Sequence, residues 1–337
     1  MRVDCRRLLS MQSQQADHQW SIHHTQEPDM YFPRDWIQRI RNAVPGINIV
    51  LCSSPDQAIN VIRTADAVFG EVSPEIFQEA SKLRWICCPW AGPPAGYYHK
   101  ALVESNVVVT NMREIYSDHM ATHIISLVLS FAKNINRYME HQHLRQWGPI
   151  YQPIYLPEST ALIVGLGGIG TEAARLCNAL GITVVGVDPR RVICPEGVGK
   201  ILDPSYLDEI LPQADFVIVT VPETPDTQRM FHEAKFKLMK QGSFFINVGR
   251  GATVVLNDLV NALKTGHLSG AALDVFEEEP LPTDHSAWNT KGMIITPHVA
   301  GLGPHTMERR AKVLIDNCVR FNNDEELFNI VDKSKWF

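Results

Sequence analysis

The sequence predicts an α/β protein of two lobes, each a parallel sheet covered by helices. Three observations predict it. Short apolar runs alternate with amphipathic stretches along most of the chain, the pattern of βα units. The alternation breaks once, near Ser117, and then resumes. The chain has 337 residues, more than one hydrophobic core usually serves.

The elements follow in order. The first 30 residues are polar, with Trp20 to His24 a candidate short strand. Helices are expected over Arg34 to Val44, Pro55 to Thr64 and Pro74 to Ser81. Strands are expected over Asn48 to Cys52, Ala67 to Gly70, Leu83 to Cys88 and Val107 to Thr110. Asp118 to Gln142 reads as one long helix, long enough to bridge two lobes, with Ser117 as its N-cap. Gly148 to Pro157 holds three prolines and reads as a connector. The second series has strands at Phe216 to Val221, Ser243 to Val248, Ala271 to Val275 and Met293 to Thr296. Its helix is Val255 to Thr265. The amphipathic stretch Thr306 to Asn322 is expected to return to the first lobe.

Composition narrows the function classes. Hydrophobic residues make up 45% and charged residues 20%, ordinary for a soluble globular protein. A net charge of −6 gives no reason to expect nucleic acid or an anionic membrane as partner. The longest apolar run, Ile124 to Ala132, is too short to span a bilayer. Met1 to Arg7 carries charge with no apolar stretch behind it, so no signal peptide is expected. Cysteines 5, 52, 87, 88, 177, 194 and 318 are scattered and odd in number. Inert thiols in a reducing cytoplasm are the default reading. With no CxxC or HExxH spacing, no metal site is expected.

The chemistry begins at Ala161-Leu-Ile-Val-Gly-Leu-Gly-Gly-Ile-Gly-Thr171. An apolar strand runs into Gly165, Gly167 and Gly170, with a helical stretch behind them. Ile182 to Asp188 then reads as a strand ending in an acid, 18 residues past Gly170. Such a unit binds a dinucleotide. The first glycine makes the tight turn, the second admits the pyrophosphate, and the third lets helix and strand pack. The helix N-terminus faces the phosphates. Asp188 suits the ribose hydroxyls of NAD, whereas Arg190 and Arg191 offer charge to the 2′-phosphate of NADP. NAD is the expected cofactor on that balance, with NADP as the alternative.

Three polar residues follow later strand ends, where ligands bind in open parallel sheets. Arg250 lies in Asn247-Val-Gly-Arg-Gly251, and its planar fork suits a carboxylate. His298, in Thr296-Pro-His-Val-Ala-Gly301, is a general acid–base candidate. Glu279, in Ala272-Leu-Asp-Val-Phe-Glu-Glu-Glu-Pro-Leu281, is its candidate partner.

With the glycine turn, these motifs resemble the D-isomer-specific 2-hydroxyacid dehydrogenase family over roughly residues 45 to 325. The resemblance implies two Rossmann-like lobes. A doubly wound dinucleotide-binding domain, 118–303, is inserted in a flavodoxin-like substrate domain, 1–117 completed by 304–337. It implies an active site in the cleft and a homodimer. It gives Arg250 the substrate carboxylate and keto oxygen, His298 the hydroxyl proton, and Glu279 the support of His298. Asp274 is implied for the nicotinamide carboxamide, and Val221, Pro222 and Thr227 for the adenine-ribose side. Gly168, Ile169, Val248, Gly249, Arg250 and His298 complete the implied cofactor contacts. Backbone amides of Trp90, Ala91 and Gly92 are implied to grip the substrate carboxylate.

The chain departs from the family pattern in places. Trp90-Ala-Gly-Pro-Pro-Ala-Gly-Tyr-Tyr98 is richer in proline and aromatics than the usual loop. Together with Tyr116 it hints at an aromatic-lined pocket. Pro222-Glu-Thr stands for the usual Pro-Leu-Thr, and Ala121-Thr-His123 for Ala-Glu-His. Tyr116 and His119 are candidates to face the cleft.

The expected activity is reversible hydride transfer between NAD(P)H and C2 of a small 2-keto or D-2-hydroxy acid, as in a glyoxylate/hydroxypyruvate reductase. The alternatives are an NAD(H)-sensing module like the family's corepressors and a phosphoglycerate dehydrogenase-like enzyme. Glu279 argues against a formate dehydrogenase, whose matching residue is Gln.

Overall fold

A computed structural model describes residues 9–10, 19–22, 33–52, 54–93, 96–150 and 152–336. Met1 to Arg7 with Cys5, residues His23 and His24, and loop residues Pro94 and Ala95 lie outside the described residues. The chain forms two compact units, one of residues 1–115 with 304–337 and one of residues 116–303.

The first unit holds β1 (Leu9–Ser10), β2 (Gln19–Ile22), α1 (Arg34–Ala43), β3 (Asn48–Leu51), α2 (Pro55–Ile62) and β4 (Ala67–Phe69). It continues through α3 (Pro74–Gln78), β5 (Trp85–Cys87), α4 (Lys100–Glu104) and β6 (Val108–Thr110). Ser54 and Ser73 accept from Gln57 N–H and Ile76 N–H, each before a proline at the first helical turn. That pairing satisfies an end amide with a side-chain oxygen and presets φ. The sheet order is β1-β3-β2-β4-β5-β6. Strands β2 to β6 run parallel in the flavodoxin order, and β1, which the sequence does not predict, adds antiparallel to the β3 edge. Beyond β6, Val331 N–H donates to Val109 O at 2.8 Å. Among the described residues this C-terminal segment continues the ladder past β6.

The second unit opens with a correction. The expected single helix is two: α5 (Ser117–Ala132) and α6 (Ile135–His143). Between them Asn134 is left-handed, at φ 57°. The cause is tertiary. The returning chain docks there, with Ile154 N–H on Ala132 O at 3.0 Å and Asn134 Nδ2 on Gln152 O at 3.4 Å. Asn tolerates this conformation better than most residues. Nor is Ser117 the N-cap. Tyr116 holds that position, and the buried Ser117 hydroxyl has no hydrogen-bond partner.

The unit then carries β7 (Thr160–Val164), α7 (Gly168–Ala179), β8 (Thr183–Val187), β9 (Lys200–Leu202), α8 (Leu207–Ile210), β10 (Phe216–Val219) and α9 (Glu233–Leu238). It ends with β11 (Phe244–Asn247), α10 (Leu256–Lys264), β12 (Gly270–Leu273) and β13 (Met293–Ile295). The order β13-β12-β11-β10-β7-β8-β9 is parallel throughout. Its strands bury both faces. Leu162, Val164, Val217, Val219 and Phe245 join one core. Their alternates Ala161, Ile163, Phe216, Ile218 and Ile246 join the other. The topology is doubly wound, with its switch point between β7 and β10, where a crevice opens at the carboxyl ends. The last helix, α11 (Thr306–Asn322), belongs to the first unit. Arg39 of α1 clasps its Glu308 with two bonds of 2.7 and 2.8 Å.

Candidate active site

The glycine turn follows β7 at the switch point. Gly165 has φ 99°, open to glycine at low cost. A Cβ there would also lie 3.0 Å from Val221 Cγ1, across the crevice at the end of β10. Thr220 Oγ1 ties the two strand ends together by donating to Gly165 O at 2.8 Å. A Cβ on Gly170 would overlap the Gly165 carbonyl oxygen, so the helix packs on the turn only as glycine. Beside Gly167 the space is open, with nothing within 4 Å of where a Cβ would stand. Gly167 caps α7 without a side-chain bond to the helix amides. Gly168, Ile169 and their amides open that helix. Backbone amides, a helix dipole and open space beside the turn are what a pyrophosphate needs, so these residues fit a dinucleotide.

Asp188 points inward, with a side chain only 2% exposed. Oδ2 accepts from Leu166 N–H at 2.8 Å and Oδ1 from Arg190 N–H at 2.9 Å. Burial raises its pKa, but those two amides and the Arg190 guanidinium outweigh burial and hold the carboxyl below its ordinary value. The half-exposed Arg190 side chain lies 3.4 Å from both carboxylate oxygens. Arg191 Nε donates to Leu166 O at 3.0 Å, so both arginines stand at the turn. Past β10, Thr227 Oγ1 donates to Pro222 O at 2.6 Å and accepts from Thr224 N–H at 2.8 Å, bracing the loop that begins at Val221 and Pro222.

Arg250 sits on a loop that only glycines permit. A Cβ on Gly249 would fall 2.5 Å from Val221 O, and one on Gly251 would overlap the Phe276 carbonyl. The fully buried Asn247 clamps the loop, accepting from Gly249 N–H at 2.9 Å and donating to Arg250 O at 3.0 Å. Val248 packs in the core below. The Gly251 contact brings Arg250 beside the segment that carries Glu279. There Glu279 Oε1 accepts from Phe276 N–H at 2.9 Å, and Oε2 lies 2.7 Å from His298 Nδ1. Partial burial pulls the Glu279 carboxyl upward. The His298 bond, the Phe276 amide and the His298 and Arg250 charges outweigh it and hold the carboxyl below its ordinary range. The structure thus brings Arg250, Glu279 and His298 together from three strand ends.

Asp274 is 1% exposed. Its Oδ1 accepts from Thr296 Oγ1 at 2.6 Å and Val299 N–H at 2.9 Å, and its Oδ2 from Ala300 N–H at 2.9 Å. The sequence does not single out these partners, nor the Asn247 clamp. Tyr116 packs against Gly301, and His119 lies against Gly303. His119 and His123 stand one helical turn apart, yet no group of three or more His, Cys, Asp or Glu among the described residues could hold a metal ion.

In the first unit, Met112 N–H donates to Trp90 O at 3.1 Å and Asn111 Nδ2 to Ala91 O at 2.8 Å. These bonds fix the start of the loop through Gly92. The aromatic-lined pocket is corrected in part. Tyr97 and Tyr98 are 2% and 7% exposed. Tyr97 Oη donates to Gly70 O at 3.0 Å, and Tyr98 stacks on Trp336 at 6.1 Å. Their apolar rings are worth more in the core than at a wet surface.

Residues 125–300 match the model of the D-isomer specific 2-hydroxyacid dehydrogenase NAD-binding domain. The chain belongs to this family. A glyoxylate reductase of Korarchaeum cryptofilum is 30% identical over 272 residues, 78% of this chain and 80% of that protein. A solved D-isomer specific 2-hydroxyacid dehydrogenase of Xanthobacter autotrophicus Py2, in complex with NADPH and MES, superposes with a TM-score of 0.77 at 26% identity. That match covers 90% of this chain and 96% of the other. An NADPH-dependent glyoxylate/hydroxypyruvate reductase of Sinorhizobium meliloti, in complex with NADP and sulfate, gives 0.72 at 28% identity over 80% and 85%. The two-lobed α/β fold read from the sequence is the family's fold. The enzyme is an NAD(P)-dependent dehydrogenase of 2-hydroxyacids. No helix among the described residues is long and apolar enough to cross a membrane.

Proposed function

We propose that the enzyme reduces glyoxylate to glycolate, or hydroxypyruvate to D-glycerate, with NADPH, with Arg250, Glu279 and His298 as its catalytic residues. The observation that carries this reading is the 2.7 Å bond from His298 Nδ1 to Glu279 beside Arg250. The names of the matched relatives support the substrate class. The bound dinucleotide supplies the hydride. Arg250 binds the substrate carboxylate and draws charge onto the keto oxygen, where preorganised donors stabilise the developing alkoxide. His298, with Nδ1–H turned to Glu279, presents Nε2–H to that oxygen and gives up its proton as the C2 hydroxyl forms. Glu279 fixes the tautomer and the orientation of the ring.

We assign the cofactor to Gly165, Gly167, Gly168, Ile169 and Gly170 at the pyrophosphate and to Val221, Pro222 and Thr227 at the adenine-ribose side. We assign Val248, Gly249, Arg250 and His298 to the nicotinamide side. Asp274 serves by clamping the His298 loop, since its oxygens face that loop's amides.

Between the two nicotinamide cofactors, where the sequence alone weighs toward NAD with NADP as the alternative, we infer a preference for NADPH. Asp188 is buried and each of its oxygens already accepts from a backbone amide, which leaves less of the carboxylate for a ribose diol. Arg190, beside Asp188, and Arg191, on Leu166 O, bring two positive charges to the same turn, which suit a 2′-phosphate. NADPH is expected to bind at least about tenfold tighter than NADH, roughly one well-placed ion pair, and the R190A/R191A double variant to lose the difference. Fluorescence titration checks it, and equal affinities in the wild type would refute the assignment.

Replacing Glu279 with Gln is expected to lower kcat for reduction about tenfold or more and to change its pH profile, because Gln carries no charge beside the imidazole. The imidazolium needed for proton donation loses its counter-charge. In the wild type the sign at acid pH follows from Glu279 itself. Its folded carboxyl is depressed, so the pair's contribution is complete above the ordinary glutamate value and fades as pH falls through the lower folded value. A pH profile of the Glu279→Gln variant that overlays the wild type would contradict the pairing.

The enzyme is further assigned to the cytoplasm as a homodimer. The exposed free thiol of Cys194 suits a reducing compartment. Exposed Ile135, Met139, Leu144 and Trp147, clustered in sequence on and after α6, suit a subunit contact.

A further inference from the structure

We propose that His123 and Thr296 are positioning residues that hold the catalytic His298 in its working conformation. This rests on the proposed function and deepens it. His298 has φ 56°, a left-handed backbone that a side chain with a Cβ resists. Such a conformation persists only where its surroundings over-determine it. Besides the Glu279 bond to the His298 ring and a longer contact of the His298 N–H with Thr296 O at 3.1 Å, one residue holds this loop. His298 N–H donates to Asp274 O at 2.8 Å, and the next two amides donate to the Asp274 carboxylate at 2.9 Å each. Three successive amides of the catalytic loop therefore converge on Asp274.

Asp274 needs its own carboxylate oriented, and Thr296 does this. The hydroxyl carries a single proton, and at 2.6 Å from the acceptor-only Asp274 Oδ1 it must donate it there. Toward His123 Nε2, 3.2 Å away, Thr296 can then only accept. His123 must therefore carry its proton on Nε2. The result is a directed chain from helix α5 to the loop: His123 Nε2–H to Thr296 Oγ1, Thr296 O–H to Asp274 Oδ1, and Asp274 to the amides of 298–300. Without the hydroxyl, Asp274 loses one of three side-chain bonds and is free to turn. The loop can then relax from its left-handed residue, and the imidazole leaves its place against Glu279.

The test compares His123→Leu, His123→Gln, Thr296→Val and Thr296→Ser with the wild type. Thr296→Val and His123→Leu are expected to lower kcat roughly 10- to 100-fold, the scale of a misplaced catalytic group. KM for glyoxylate, the Kd for NADPH and the Tm should change little. Thr296→Ser keeps the hydroxyl and His123→Gln keeps a donor, so both should recover most of kcat. The double variant H123L/T296V should be no slower than the worse single variant, because both act through one chain. The ¹⁵N imidazole signals of His298 should move in the two apolar variants and hold in the two conservative ones. Unchanged kcat in Thr296→Val, additive losses, or a loss that tracks Tm without rescue by Ser would each overturn the proposal. A wild type without turnover would count against the proposed function alone, because the imidazole spectra still read the positioning directly.

Discussion

His298→Ala is expected to lower kcat for 2-keto acid reduction by about 10²- to 10⁴-fold, the worth of a positioned general acid. Binding of the dinucleotide should survive. The His298 side chain is 51% exposed, so its removal opens no sealed cavity and Tm should move little. What disappears is the one titratable group that Glu279 aims from the end of β12. His298→Asn gives a second reading, because Asn accepts a left-handed backbone more readily than Ala and keeps the loop closer to its native path. Both variants should fail at the proton step alike. Turnover within tenfold of the wild type in either, at unchanged Tm, would remove His298 from the chemistry.

Gly251→Ala is expected to damage stability and catalysis together. The added Cβ would overlap the Phe276 carbonyl, which is backbone and cannot swing aside. Overpacking of this kind costs about 3 kcal/mol, a fall in Tm of roughly 6–12 °C for a unit of this size. The strain falls where it matters most. Arg250 sits immediately before Gly251, and Phe276 N–H holds Glu279 Oε1. Forcing the two loops apart separates Arg250 from the Glu279–His298 pair, and a displacement of about 1 Å costs on the order of 10² in kcat/KM. Thermal unfolding and steady-state kinetics on one preparation check both halves. A variant with wild-type Tm and kcat/KM would show that the loops do not depend on this contact.

The core of the site was legible because each part lies within a few residues of sequence. The glycine turn, Arg250 between glycines, and His298 after a proline are each marked by a short local pattern of residue types. What escaped the sequence depends on contacts between distant segments. The break at Asn134 exists because residues 152 and 154 return to the end of α5. The Thr296–His123 bond joins residues 173 apart. Tyr97 and Tyr98 looked like pocket aromatics because burial cannot be read from a loop's composition. Asp188 stands at the strand end as the sequence places it, but its inward turn onto Leu166 N–H, 22 residues away, shows only in the structure.

Oxidation of NADPH by the wild-type enzyme, followed with glyoxylate, hydroxypyruvate and pyruvate in turn, tests the central claim most directly. The arrangement of Arg250, Glu279 and His298 requires steady turnover with glyoxylate or hydroxypyruvate, which disappears in His298→Ala. Absence of NADPH or NADH oxidation with every one of these acids, by a protein that binds the dinucleotide, would contradict it.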